Sequence, residues 1–116
     1  MENIILKEKS FALSLSIIDI CDSLEKKSKN IIAIQLLKSG TSIGANIRES
    51  FYPESISDYI HKLSIARKEA SECQYWLDLI IAKEIVKIED QVLKDLTHIQ
   101  KVLTILINTS KKRKKE

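Results

Sequence analysis

The sequence predicts an all-α protein that folds as one antiparallel, up-down-up-down four-helix bundle. Only two Gly and one Pro interrupt the 116 residues, and 44% apolar residues accompany 30% charged ones, a composition that favours long helices. Apolar residues also recur at spacings of three and four over four long segments, which places them along one side of each helix. A chain of this length fills one hydrophobic core, so we expect a single domain.

The first helix is predicted over residues 3 to 26. Its apolar residues form two interleaved sets that together make one broad stripe: Phe11, Leu15 and Ile18 in one set, and Leu13, Ile17, Ile20 and Leu24 in the other. The polar residues 25 to 30 then predict a short turn, in which Ser28 or Asn30 caps the next helix by accepting its free amide hydrogens.

The second helix is predicted over residues 30 to 51, and its core stripe contains Ile32, Leu36, Gly40, Ile43 and Ile47. Gly40 and Gly44 lie inside this helix, where each glycine costs about 1 kcal/mol relative to alanine. We expect close approach of a neighbouring helix to offset that cost, with Ala66 and Ala70 as a candidate facing surface. A phosphate-binding glycine loop is the alternative, but no strand precedes these glycines and no Lys-Ser or Lys-Thr pair directly follows them.

The third and fourth helices are predicted over residues 55 to 83 and 89 to 109. Ser55, placed after Pro53 and three residues before Asp58, matches a variant of the capping box at a helix start. The third stripe contains Ile56, Tyr59, Leu63, Ala66, Ala70, Cys73, Leu77 and Ile80, and the fourth contains Val92, Leu96, Ile99, Leu103 and Leu106. Short turns between long helices require neighbouring helices to run antiparallel.

The third helix also carries apolar residues beside its stripe. Tyr75, Trp76 and Leu79 form a candidate interface with another subunit, because Trp and Tyr are common anchors of protein interfaces. A wide core within one bundle explains these residues equally well. We expect the chain to form a homo-oligomer.

The formal net charge of +3 is concentrated at the C-terminus. Residues 111 to 116 hold five basic groups and one acidic group, which leaves 14 basic and 15 acidic groups, a net charge of −1, in residues 1 to 110. We expect a disordered basic tail in which Lys111, Lys112, Arg113, Lys114 and Lys115 bind RNA phosphates through counterion release. A tail that only increases solubility is the alternative.

No catalytic or metal-binding constellation emerges from the sequence. Asp58 with His61 and Asp95 with His98 repeat an Asp-x-x-His spacing, but at about 100° per residue both histidines point away from the core stripes. Cys21 and Cys73 lie in apolar patterns and are expected to be reduced and buried. No apolar run approaches the roughly 18 residues of a membrane span. We therefore expect a cytoplasmic protein without enzymatic activity, cofactor or membrane association.

The segment from Ser39 to Ser50 resembles the signature of the four-helix bundle proteins that are encoded in intervening sequences of bacterial 23S ribosomal RNA genes. The residues that match its core pattern are Thr41, Ser42, Ile43, Gly44, Ala45, Asn46, Ile47 and Glu49, and a weaker similarity continues from Ser64 to Glu84. This chain departs from the family in having Ser50 after the glutamate in place of Gly, and Ile85 and Val86 in place of Gly-Tyr.

The resemblance implies a non-enzymatic bundle that assembles as a homopentamer. Relatives include the accessory variability determinant of diversity-generating retroelements, a basic pentamer that engages a reverse transcriptase and nucleic acid. We expect an oligomeric scaffold that binds RNA or a ribonucleoprotein partner. The alternative is a protein-interaction module, for example one that serves a retroelement reverse transcriptase. Asn46 and Glu49 contribute either to a solvated face of the second helix or to a partner-binding face.

Overall fold

The computed structural model describes residues 2–115. Four α-helices occupy this range: α1 (Glu2–Lys26), α2 (Asn30–Glu49), α3 (Ile56–Ala82) and α4 (Asp90–Lys115). Short connections join them, and each helix packs along two neighbours, α1 and α3 both lying between α2 and α4. The predicted antiparallel four-helix bundle is confirmed.

The turn between α1 and α2 closes without glycine. Ser28 adopts a left-handed conformation with φ of 60°, and the amides of Ser28 and Lys29 donate to the carbonyls of Glu25 and Leu24 at 2.9 Å each. These two bonds make a Schellman cap at the end of α1. The residue that precedes α2 is Lys29, and no side chain caps the helix. The expectation that Ser28 or Asn30 caps α2 is therefore wrong, because Ser28 is used to end α1.

Both ends of α3 are closed by local hydrogen bonds. Ser55 Oγ accepts from the amide of Asp58 at 3.0 Å, and Asp58 Oδ2 accepts from the amide of Glu54 at 3.1 Å, so the predicted variant of the capping box is confirmed. At the other end Glu84 adopts φ of 52°, and the following amide donates to the carbonyl of Ile80 at 3.0 Å. This repeats the Schellman cap of α1.

Side chains from all four helices form one core. Buried apolar residues are Leu6, Leu13, Ile17, Cys21 and Leu24 of α1, Ala33, Leu36, Ile43 and Ile47 of α2, Leu63, Ala66, Ala70, Cys73, Leu77 and Ile80 of α3, and Val92, Leu96, Ile99, Val102, Leu103 and Ile107 of α4. The predicted stripes of α2, α3 and α4 are confirmed apart from their margins. There Ile32, Tyr59 and Leu106 are half-buried and Ile56 is exposed.

The broad stripe predicted for α1 divides into two faces. Leu13, Ile17 and Leu24 are buried as predicted, whereas Phe11, Leu15 and Ile18 are 52%, 51% and 43% exposed. The set of Phe11, Leu15 and Ile18 therefore lies on the outer surface of α1. Placing it in the core was wrong, because two apolar sets offset by two residues occupy opposite sides of a helix with 3.6 residues per turn.

The glycines of α2 face α1. A Cβ atom on Gly40 would lie 2.9 Å from Cγ1 and Cγ2 of Ile17, and a Cβ atom on Gly44 would lie 3.4 Å from the carbonyl oxygen of Ser10. The predicted close approach of a neighbouring helix is confirmed. Its partner is α1, so the suggested pairing with Ala66 and Ala70 of α3 is wrong.

α4 is displaced along the bundle axis. Lys9 Nζ lies 3.3 Å from Asp95 Oδ1, whereas the second turn of an unshifted antiparallel α4 would lie beside the C-terminal half of α1. The molecule also extends over 52 Å, about 12 Å more than the length of a 27-residue helix at 1.5 Å per residue. The last turns of α4 therefore extend past the N-terminal end of α1.

Candidate nucleic-acid interface

The last five residues of α4, 111–115, form a helical basic end. Burial ends at Ser110, and all five residues are exposed although they cover more than one helical turn. The expectation of a disordered tail is therefore corrected for residues 111–115, while Glu116 lies outside the described residues. Lys and Arg favour helix formation, and their charges are stabilised by the negative end of the helix dipole. The basic end thus presents Lys111, Lys112, Arg113, Lys114 and Lys115 around a full turn.

A groove runs between α1 and α2 and has a volume of about 490 Å³. Its lining includes two cations, two aromatic rings and small residues, and it opens along the outer surface of the bundle: Lys7, Ser10, Phe11, Ser14, Gly44, Ala45, Arg48, Glu49 and Tyr52. Gly44 and Ser14 contribute no large side chain, which leaves space between the helices. We call this feature the α1–α2 groove.

Cations and aromatic rings alternate in and beside the α1–α2 groove. Arg48 Cζ lies 5.6 Å from the ring centre of Phe11, and Lys7 Nζ lies 5.4 Å from the ring centre of Phe51. Both distances fit cation–π contacts. Tyr52 is 81% exposed. The groove therefore combines positive charge with accessible aromatic faces, which are the two elements that single-stranded nucleic acid binds.

The topology places the groove and the basic end at the same end of the bundle. In an antiparallel four-helix bundle, α1 and α3 begin where α2 and α4 end. Lys7 lies in the second turn of α1, and Arg48 lies in the last turn of α2. The sequence pattern indicated residues 111–115 as a nucleic-acid contact but did not indicate Lys7, Phe11, Arg48 or Tyr52. The signal in the sequence was the second apolar set of α1, which contains Phe11 and exceeds what one core stripe needs.

The family-motif residues divide between core and groove. Ile43 and Ile47 are fully buried, and Gly44 and Ala45 line the α1–α2 groove. The polar members mostly bond within their own helix: Thr41 Oγ1 donates to Leu37 O at 2.6 Å, Asn46 Nδ2 donates to Ser42 O at 2.9 Å, and Ser42 is itself half-buried. The motif therefore builds a helix contact and not a cluster of reactive groups.

Glu49 joins α2 to α3 through an ion pair. Its Oε1 lies 3.1 Å from Lys62 Nζ. The hydrogen bond to Glu49 and its negative charge raise the pKa of Lys62. Because the Glu49 side chain is 58% exposed, this surface pair contributes little to stability. It neutralises the one acidic residue that lines the groove.

The residues of the predicted subunit interface lie together on α3. Tyr75 is 56% exposed, and its ring centre is 5.3 Å from that of Trp76 in an edge-to-face arrangement. Trp76 and Leu79 are half-buried. Trp76 packs against the core, and its Nε1 donates to Glu72 Oε2 at 3.1 Å. Trp76 thus packs within its own bundle, which leaves Tyr75 as the exposed member of the group.

The histidines and the cysteines singled out in the sequence differ in burial. His61 and His98 are exposed, as their predicted orientation requires. Burial raises the pKa of Cys21 to about 11 and that of Cys73 to about 12, so both buried thiols stay protonated at neutral pH. Across residues 2–115, His, Cys, Asp and Glu side chains form no group of three that would hold a metal ion. None of the helices in that range is long and apolar enough to cross a membrane.

The fold and this surface define a small antiparallel helical-bundle protein with a basic, aromatic-flanked end. The chain belongs to the family of 23S rRNA-intervening sequence proteins, whose model matches residues 2–105. The predicted family is confirmed. Residues 111–115 lie beyond the matched range.

A solved structure supports the same assignment. The chain is similar to a protein of unknown function from the S23 ribosomal protein family of Bacteroides thetaiotaomicron. The two are 40% identical over 93% of this chain and 99% of that one, with a TM-score of 0.86. Comparison with curated proteins gave no match.

Proposed function

We propose that this protein is a non-enzymatic, self-associating, cytoplasmic helical scaffold that binds RNA, alone or within a ribonucleoprotein, through one end of its bundle. The observation that carries the proposal is the fully exposed basic turn of residues 111–115. Clustered cations release counterions from a phosphate backbone, and this supplies affinity without sequence specificity.

The α1–α2 groove supplies a second kind of contact at the same end. Phe11 and Tyr52 expose ring surface on which an unpaired base stacks, while Lys7 and Arg48 lie beside aromatic rings and within reach of the adjoining phosphates. Base stacking contributes about 1 to 3 kcal/mol per base in proteins that bind single strands. The protein therefore favours single-stranded over double-stranded RNA.

Self-association strengthens such a site. The family resemblance implies a homopentamer, in which each copy contributes one basic end to a common surface. Linked sites bind one long strand with an affinity that exceeds that of a single site by about two orders of magnitude or more. Weak contacts from each copy are then sufficient for stable RNA binding.

The proposal is tested with two variants of equal charge change. One replaces Lys111, Lys112, Lys114 and Lys115 by Gln, and the matched control replaces the exposed lysines Lys26, Lys29, Lys83 and Lys87 at the opposite end. Affinity for a single-stranded RNA is measured by fluorescence anisotropy over a series of salt concentrations. The first variant should bind weakly, with a salt slope reduced by up to about 3, because each phosphate contact contributes about 0.7. Equal effects of the two variants would contradict the proposal.

A protein partner, such as a retroelement reverse transcriptase, is the second candidate. The observation in its favour is the apolar outer surface of α1 and α2, which includes Phe11, Leu15 and Ile34. An apolar contact survives high salt, whereas the RNA contact does not. Binding of the partner that persists at high salt and in the variant with four replaced lysines of the basic end would favour this reading.

A further inference from the structure

The outer surface of α4 carries charge of one sign over most of its length. From Leu96 to Lys115 the chain contains no aspartate or glutamate, whereas Lys101 and the five residues of the basic end are all positively charged. Lys94 lies just before this stretch, and both Lys94 and Lys101 are exposed. The positive charge of the basic end therefore continues back along the helix.

The exposed residues of α4 include a straight stripe that leads to the basic end. Lys94, Lys101, Asn108 and Lys115 follow one another at intervals of seven residues, which turn by about 700° and so return to nearly the same side of the helix. All four are exposed. Each interval advances by about 10.5 Å, and the whole stripe is about 32 Å long. We call these four residues the α4 track.

The acidic residues nearest to Lys94 in the sequence do not interrupt the α4 track. Asp95 is half-buried, and its Oδ1 lies 3.3 Å from Lys9 Nζ, so a cation of α1 offsets its charge. Asp90 is the first residue of α4, one turn before Lys94, and marks the limit of the positive surface. Neither Lys94 nor Lys101 forms an ion pair with another described side chain of the chain. Both lysines are therefore available to an external anion.

The chemistry of this surface suits a phosphate backbone. The hydroxyl groups between the lysines are used within the helix, since Thr97 Oγ1 donates to Leu93 O at 2.9 Å and Thr104 Oγ1 donates to Gln100 O at 3.0 Å. α4 also contains no Phe, Tyr or Trp on which a base would stack. The lysine charges are thus what the α4 track offers, and they attract phosphates without reading the sequence.

The helix beside the α4 track carries the opposite charge. α3 packs against α4, and from residue 69 to residue 78 its charged residues are all acidic: Glu69, Glu72 and Asp78. Glu72 and Asp78 are exposed. Because carboxylates repel phosphates, an RNA strand on α4 is kept away from this part of α3.

We infer that the α4 track is a second phosphate-binding surface, along which a bound RNA strand continues after it leaves the basic end. This inference rests on the proposed function and extends its site. The α1–α2 groove stacks bases, the basic end holds the phosphates next to it, and the α4 track holds the backbone of the nucleotides that follow. An RNA long enough to reach Lys101 and Lys94 therefore makes contacts that a short RNA does not make.

The dependence of binding on RNA length tests the inference. Affinities of the full chain for oligouridylates of about 5 and about 15 nucleotides, which lie within the range of site sizes of single-strand-binding folds, are measured by fluorescence anisotropy at several salt concentrations. The wild type should bind the longer RNA more tightly and with a steeper salt slope. Replacing Lys94 and Lys101 together by Gln should reduce that slope by up to about 1.4, because each phosphate contact contributes about 0.7. The ratio of the affinities for the two RNAs should fall as well.

A matched control removes the same charge elsewhere. Replacing Lys38 of α2 and Lys68 of α3, both exposed, by Gln should leave the slope and the affinity ratio as in the wild type. Circular dichroism shows whether each variant is folded. An unchanged slope after replacement of Lys94 and Lys101, or an equal reduction in the control, would overturn the inference.

The same measurements keep the inference distinct from the proposed function. A wild type that binds neither RNA would sink both. If the variant with four replaced lysines of the basic end loses affinity for both RNAs while replacement of Lys94 and Lys101 has no effect, the proposed function stands and only the α4 track is rejected.

Discussion

The α1–α2 pair and the α3–α4 pair contribute to one core but differ on their outer surfaces. Among residues 3–115, thirteen large hydrophobic side chains are exposed, and eight of these belong to α1 and α2 against four on α3 and α4. The α1–α2 pair carries this excess although it has 45 helical residues against 53. Apolar surface beyond the needs of the core marks an interaction surface. This difference supports the proposal that the first pair forms the partner contacts, whereas the second pair carries the basic end.

The two pairs also differ in how their helices meet. α2 approaches α1 through Gly40 and Gly44, so that backbone and side chains pack closely. In α3 the small buried residues are Ala66 and Ala70, which keep their Cβ atoms and fit a helix interior without a propensity cost. The glycines of α2 therefore serve the geometry of the surface that α1 and α2 form together.

The largest predicted effect separates the two faces of α1. Leu13→Ala removes a side chain that is 1% exposed, and it should lower the free energy of unfolding by about 2 to 5 kcal/mol because it leaves a cavity. Leu15→Ala, on the outer face, should lower it by less than about 0.5 kcal/mol. Urea denaturation followed by circular dichroism measures both. Equal losses would break the distinction between the faces. Repeating the measurement after dilution shows how much of each loss of unfolding free energy comes from self-association, since only that contribution depends on protein concentration.

An intermediate effect separates the two glycines of α2. In Gly40→Ala the new methyl group would lie 2.9 Å from two carbons of buried, β-branched Ile17, and the resulting overpacking should cost about 1 to 3 kcal/mol. Gly44→Ala makes only ordinary contacts of 3.4 Å or more and should gain up to about 1 kcal/mol in helix propensity. Thermal unfolding of the two variants gives the comparison. If Gly44→Ala is destabilised and Gly40→Ala is not, the tightest contact with α1 lies at Gly44 and not at Gly40.

The sequence predicted the fold well because α2, α3 and α4 each have one long, regularly spaced core stripe. α1 has two, Leu13 with Ile17 and Leu15 with Ile18, and periodicity alone does not say which one faces the core. The sequence pattern also does not tell which helix packs against Gly40 and Gly44, since both α1 and α3 flank α2. Long-range packing decided both questions.

The candidate site was less predictable than the fold. Residues 111–115 were found because charge is visible in sequence, but their helical state depends on α4 continuing past the bundle. The α1–α2 groove brings together Phe11 and Arg48 from different helices. The spacing of residues along the sequence does not predict such a pair. The antiparallel topology then places the groove and the basic end at the same end of the bundle, which only a three-dimensional arrangement shows.

The smallest predicted effect tests whether the difference between the pairs extends to their ends. α1 and α3 are both followed, two residues after their last helical residue, by an exposed residue in the left-handed conformation: Ser28 with φ of 60° and Glu84 with φ of 52°. Side chains other than glycine cost about 1 to 2 kcal/mol there, and the flexibility of unfolded glycine cancels part of the gain. Ser28→Gly and Glu84→Gly should therefore each raise the free energy of unfolding by about 0.5 to 1 kcal/mol. Thermal unfolding should show increases of a few degrees in both.

The control for these caps has the opposite sign. Ser71→Gly places glycine at an exposed position inside α3, and it should lower the free energy of unfolding by about 0.5 to 1 kcal/mol because helical glycine loses more backbone entropy. If Ser28→Gly and Glu84→Gly respond alike, the helix pairs share their end chemistry, and their difference lies in the faces alone. A gain for only one of them would show that α1 and α3 also end under different constraints, and the contrast between the pairs would then include their turns.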